Sequence, residues 1–101
     1  MRRVVITGVG AVTPLGNDMQ TTWQALCAGQ SGVRPITRFD ASEYGVRIAG
    51  EVQNFALHAA VDPREARRSS LYVRYALNAV IEALHHAQLD TTQVDRERLG
   101  V

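Results

Sequence analysis

A chain of 101 residues with 46% apolar and 21% charged side chains has the make-up of one small globular domain, and neither a disordered nor a fibrous composition. The formal net charge of +1 gives no whole-molecule field for nucleic acid, and all 11 basic residues are Arg, which excludes a lysine nucleophile, Schiff base or Walker-type lysine within these residues. One cysteine excludes an internal disulfide and points to a reducing, cytoplasmic setting.

The chain opens MRRVVITGVGAVTPLGN. Two arginines before an apolar stretch imitate a signal peptide, but the stretch is β-branched and broken by glycines, so it reads as a strand. Val4 to Thr7 are continuously apolar rather than alternating, which predicts a strand buried on both faces. No apolar run reaches the roughly 20 residues of a membrane span.

A helix follows, with Asn17 as its cap, Gln20 in capping-box position and Gly29 ending it in the left-handed conformation. Met19, Trp23, Leu26 and Cys27 form its expected core face. QSGVRPITRFDASEYG is rich in turn formers and reads as a loop, and VRIAGEV, residues 46 to 52, alternates as a second strand. Asp62, Pro63 and Glu65 start another helix, as cap, first-turn proline and capping-box acid. Ser69 or Ser70 can cap a renewed helix whose periodic face runs Leu71, Tyr72, Tyr75, Ala76, Ala79, Val80, Ala83, Leu84 and Ala87. Small alanines at those places predict that another helix or a sheet lies very close. The tail TTQVDRERLGV is polar until Leu99-Gly100-Val101, where a new apolar element starts and the chain stops, as expected of part of something longer.

Four groups of residues invite a functional reading. Gly8 and Gly10 follow a strand as in a dinucleotide fingerprint, but the third glycine position falls on Thr13, Pro14 comes next, and the helix starts only after Asn17. Close backbone approach at a strand exit explains the glycines instead. Cys27 lies in the last turn of its helix on the expected buried face, whereas reactive cysteines sit at the positive end of a helix, so core packing is expected. His85 and His86 point about 100° apart on a helix and cannot share a metal. Glu82 reads as an ordinary helix-surface partner for them, and His58 stands isolated in NFALHAAVD. Arg64, Arg67 and Arg68 share one helical face with Glu65 the sole acid among them. That face suits the carboxylates of an acidic helix or a phosphate, although composition alone favours an ordinary solvated surface; nucleic acid is a weak third option, because the patch is small and lacks a stacking platform.

RRVVITGVGAVTPLGN, TTWQALCAGQSGVRPITRFDAS, RIAGEV and DPREARR with its alanine-rich helix, in that order across essentially all 101 residues, resemble the N-terminus of the β-ketoacyl-acyl-carrier-protein synthases, in the elongating branch of the thiolase superfamily. The resemblance implies an α/β fold, the N-terminal portion of a thiolase-like α/β/α/β/α sandwich, with Val4 to Thr7 as its first core strand. It makes residues 1–101 the N-terminal part of a synthase domain. It implies decarboxylative condensation of an enzyme-bound acyl thioester with malonyl-acyl carrier protein in fatty acid biosynthesis, by a cysteine and two histidines that match no residue here, so this chain alone is expected to be inactive. Cys27, His58, His85 and His86 inherit no catalytic role. No cofactor and no metal are implied. Arg64, Arg67 and Arg68 become candidates for docking acyl carrier protein, in a protein expected to be a homodimer. Ser69-Ser70 stand where many relatives have Met-Asp. A non-catalytic chain-length partner subunit, a polyketide synthase component and a truncated reading frame are the alternatives.

Overall fold

The alanine-rich segment forms the longest element of a computed structural model that describes all 101 residues, Met1–Val101. In chain order the elements are α1 (Met19–Cys27), β1 (Val33–Pro35), β2 (Ile48–Gly50), α2 (Pro63–Arg68), α3 (Leu71–His86) and a 3₁₀ turn at Arg96–Arg98. No helix is long and apolar enough to cross a membrane.

The alanines of α3 do have a very close neighbour, but it is neither a helix nor a sheet: it is the N-terminal segment, which has no ladder partner. A Cβ on Gly8 would overlap the Ala83 carbonyl oxygen and lie 2.8 Å from the Ala87 Cβ; one on Gly10 would overlap the Ala79 carbonyl oxygen and lie 2.9 Å from the Ala83 nitrogen. The two glycines and the small alanines thus let two backbones touch. Two hydrogen bonds fasten the contact, and a third ties the start of α1 to the same glutamate. Ala11 N–H donates to Glu82 Oε2 (2.9 Å), Met19 N–H to Glu82 Oε1 (2.7 Å), and Val9 N–H to His86 Nδ1 (3.1 Å).

Val4 to Thr7, expected as a doubly buried strand, have no ladder partner, and Val4, Val5 and Ile6 are 97%, 71% and 86% exposed. A strand exists only by pairing, and these residues find no partner in the chain. The turn that follows is tight: Thr13 and Gly16 exchange backbone hydrogen bonds of 2.8 and 3.2 Å, and the Thr13 hydroxyl accepts from Leu15 and Gly16 N–H and meets the buried Thr22 hydroxyl at 2.9 Å.

The cap of α1 is Asp18, not Asn17. The Asp18 carboxylate accepts from Thr21 N–H at 2.7 Å, while the Asn17 amide donates to the Gln53 and Asn54 carbonyls at 3.0 and 2.9 Å. Thr21 rather than Gln20 therefore occupies the third helical position. The other end fits expectation: Gly29 takes φ +69°, its N–H donates to Leu26 O, and Gln30 N–H donates to Ala25 O, both at 3.0 Å. The buried residues of α1 are Thr22 and Ala25. Trp23 and Leu26, expected inside, are 60% and 53% exposed, and Cys27 is exposed beside them. The helix rests on its small residues, and no element covers its large apolar side.

The expected second strand is real but shorter, Ile48–Gly50, and it pairs antiparallel with β1, so Val33 faces Gly50 and Pro35 faces Ile48. The expected loop therefore contains a strand. The segment after β1 is held down by Glu51, which accepts from the Thr37 hydroxyl at 2.8 Å and from Thr37 and Arg38 N–H at 3.2 Å. Arg38 Nη2 reaches across to Tyr75 Oη on α3 at 2.9 Å. The Thr37 hydroxyl, then the two amides and the Arg38 charge, hold the Glu51 carboxyl below its ordinary range, and the bond to Tyr75 raises the Arg38 guanidinium further. Leu99, Gly100 and Val101 form no element.

Candidate functional site

The segment DPREARR folds as its chemistry predicts. Asp62 accepts from Arg64 N–H at 2.8 Å, Pro63 fills the first helical position, and the basic residues end the helix. Ala66 is buried. From α3, Arg74 donates to Ala66 O at 2.8 Å and to Ser69 O at 3.1 Å, and the Ser69 hydroxyl donates to Ala66 O at 2.9 Å. Ser70 stands at the N-cap position of α3 without a side-chain bond, so Ser69 closes α2 and neither serine caps α3 through its hydroxyl.

One arginine is thus spent on structure and three are presented. Arg64, Arg67 and Arg68 are exposed on α2, and none of their guanidinium groups makes a hydrogen bond within the chain. The helix that carries them is capped at its start by Asp62 and tied at its end to α3 by Arg74. The arrangement offers three forked donors to carboxylates or phosphates at little further ordering of backbone.

The glycines, two of the histidines and Glu82 have structural neighbours, and Cys27 is exposed on the last turn of α1. Gly8 and Gly10 lie against the α3 backbone, which occupies the side a pyrophosphate would need, and α1 begins only at Met19. His86 accepts a backbone N–H. His58 is not isolated: its ring meets the edge of His85 at 5.6 Å, its N–H donates to Asn78 Oδ1 at 2.9 Å, and its Nδ1 accepts from Ala60 N–H. Glu82 is no surface partner of the histidines; both of its oxygens hold backbone amides, one of them 71 residues distant. Asn78, Glu82 and the Arg38–Tyr75 pair carried no local signal, because each finds its partners far along the chain. No three or more His, Cys, Asp or Glu side chains stand together as a metal site.

The family model described as "Beta-ketoacyl synthase, N-terminal domain" matches residues 1–101. The chain is 45% identical over 100 residues to 3-oxoacyl-(acyl-carrier-protein) synthase 2 of Staphylococcus aureus (strain COL), covering 99% of this chain and 24% of that protein. It is 44% identical over 100 residues to the protein of the same name from Coxiella burnetii (strain RSA 493 / Nine Mile phase I), with the same coverage. Among solved structures, the ishigamide ketosynthase/chain length factor superposes with a TM-score of 0.75 at 33% identity, over 92% of this chain and 23% of that one. The chain spans about a quarter of the length of the curated relatives it matches. Its helices and strands form a mixed α/β arrangement of ketosynthase type, and the chain belongs to the β-ketoacyl synthase family, within that family's N-terminal domain.

Proposed function

We propose that these residues serve a 3-oxoacyl-acyl-carrier-protein synthase of fatty acid biosynthesis as scaffold and as the surface that docks acyl carrier protein, in a complete protein that works as a homodimer. The observation that carries the docking role is the trio of unengaged guanidinium groups on an anchored helix, Arg64, Arg67 and Arg68. In the complete synthase a cysteine thiolate takes the acyl group from its carrier thiol. Malonyl on acyl carrier protein loses CO₂, the resulting carbanion attacks the acyl carbonyl, and the bond to the enzyme cysteine breaks. We assign no reacting group to residues 1–101. Cys27 stands on the last turn of α1, at the negative end of the helix dipole, where a thiolate is disfavoured, and the three histidines hold or touch structural neighbours.

Replacing all three arginines by Ala in the complete synthase is expected to weaken binding of acyl carrier protein on the order of tenfold at low salt. The same change is expected to flatten the dependence of affinity on salt concentration. Titration calorimetry at several ionic strengths reads both, and an unchanged salt slope removes the docking role.

The likeness to the ketosynthase/chain length factor supports a second reading, that of a non-catalytic partner subunit or polyketide synthase component. The two readings part at the nucleophile position: a cysteine there in the complete gene supports the condensing enzyme, and another residue the partner subunit.

A further inference from the structure

Beside the arginine trio lies a depression of about 280 Å³, walled by Phe55, Leu57, Pro63, Ala66, Arg67 and Arg74. Its walls are set before anything binds. The Phe55 ring meets the Tyr75 ring edge-on with centroids 4.8 Å apart, and the Arg74 guanidinium is committed to two carbonyls. Arg67 belongs both to this wall and to the charged face. Its stem can therefore border an apolar contact while its charged head stays free.

We infer that this depression receives one apolar side chain of the acidic helix that Arg64, Arg67 and Arg68 hold. The inference rests on the carrier-protein reading. Charge complementarity names the occupant's class: three free cations at i, i+3 and i+4 call for a helix with carboxylates at matching intervals. Charges draw such a helix in and tolerate it in several positions, whereas an apolar side chain in a pre-formed seat fixes one. The seat adjoins the charged face through Arg67, so an apolar residue on the helix face that carries the carboxylates can reach it.

Three titrations of the complete synthase with acyl carrier protein test this. Leu57→Gln is expected to weaken binding about three- to tenfold at every salt concentration, with the salt slope unchanged. Leu57→Met, close in volume and apolar, is expected to bind as the unaltered protein does. In the unaltered protein, methyl resonances of Leu57 are expected to shift on addition of acyl carrier protein, a readout that needs no variant to fold. Silent Leu57 methyls, as when a later part of the same polypeptide covers the depression, overturn the proposal, and so does Leu57→Gln affinity within twofold of the unaltered protein. The carrier-protein reading fails separately, when removal of the three arginines leaves the salt slope unchanged.

Discussion

Glu82 shows how much can turn on one side chain. Its two oxygens accept backbone N–H groups from Ala11 and from Met19, the first residue of α1, so one carboxylate joins the N-terminal segment, α1 and α3. Hydrogen bonds to a charged acceptor contribute about 1.5–3 kcal/mol each, and a donor left without a partner adds to the loss. Glu82→Ala is expected to destabilise the complete protein by about 3 kcal/mol in denaturant unfolding, and Glu82→Gln, which keeps one acceptor oxygen, by less. Glu51 makes a similar clasp in solvent, and its contribution has a definite sign with pH. The Thr37 hydroxyl and the neighbouring amides depress its folded-state value, so the stabilisation is present above the ordinary glutamate value of about 4.3 and is lost as pH falls through the lower, folded value. The amide resonances of Thr37 and Arg38 should therefore move together on acidification below that range. In Glu51→Gln that step should be missing.

At the scale of elements, what was legible in the sequence was local chemistry. Asp62 with Pro63, Gly29 after α1 and the alanine spacing of α3 each act within a few residues, and each stands where the pattern put it. What was not legible depended on distant residues. Asn17 and Asp18 are both good caps. The choice fell to Asp18 because Asn17 is claimed by carbonyls 36 and 37 residues away. The strand β1 has three residues and a proline, too short for any period to show. Trp23, Leu26 and Cys27 have the spacing of a core face, but spacing names a face and leaves open what covers it. The end of α3 adds a prediction. Gln88 follows it at φ +52°, donating to His85 O at 3.0 Å, a left-handed position that suits glycine. Gln88→Gly is expected to raise stability by about 0.5–1 kcal/mol, read as a higher unfolding midpoint in the complete protein.

Seen whole, the chain is open. Its 8505 Å² of accessible surface compares with about 5,700 Å² for a closed monomer of 11.1 kDa, and its radius of gyration of 16.9 Å with about 13 Å. Only Thr22, Ala25, Ala41 and Ala66 are buried. Surface this apolar needs a second layer. The purified 101-residue chain is therefore expected to bind a hydrophobic dye and to melt without a cooperative transition; a sharp, two-state melt with no dye binding would contradict that account. The glycine contact with α3 bears on how such a layer would be laid down. Gly8 and Gly10 fit against Ala83 and Ala79 because neither has a Cβ. A slip by a single position would drive Val9 into that notch. Two missing methyl groups thus act as a keyway, and any β-partner later aligned on Val4 to Thr7 would inherit one fixed phase of inward and outward side chains.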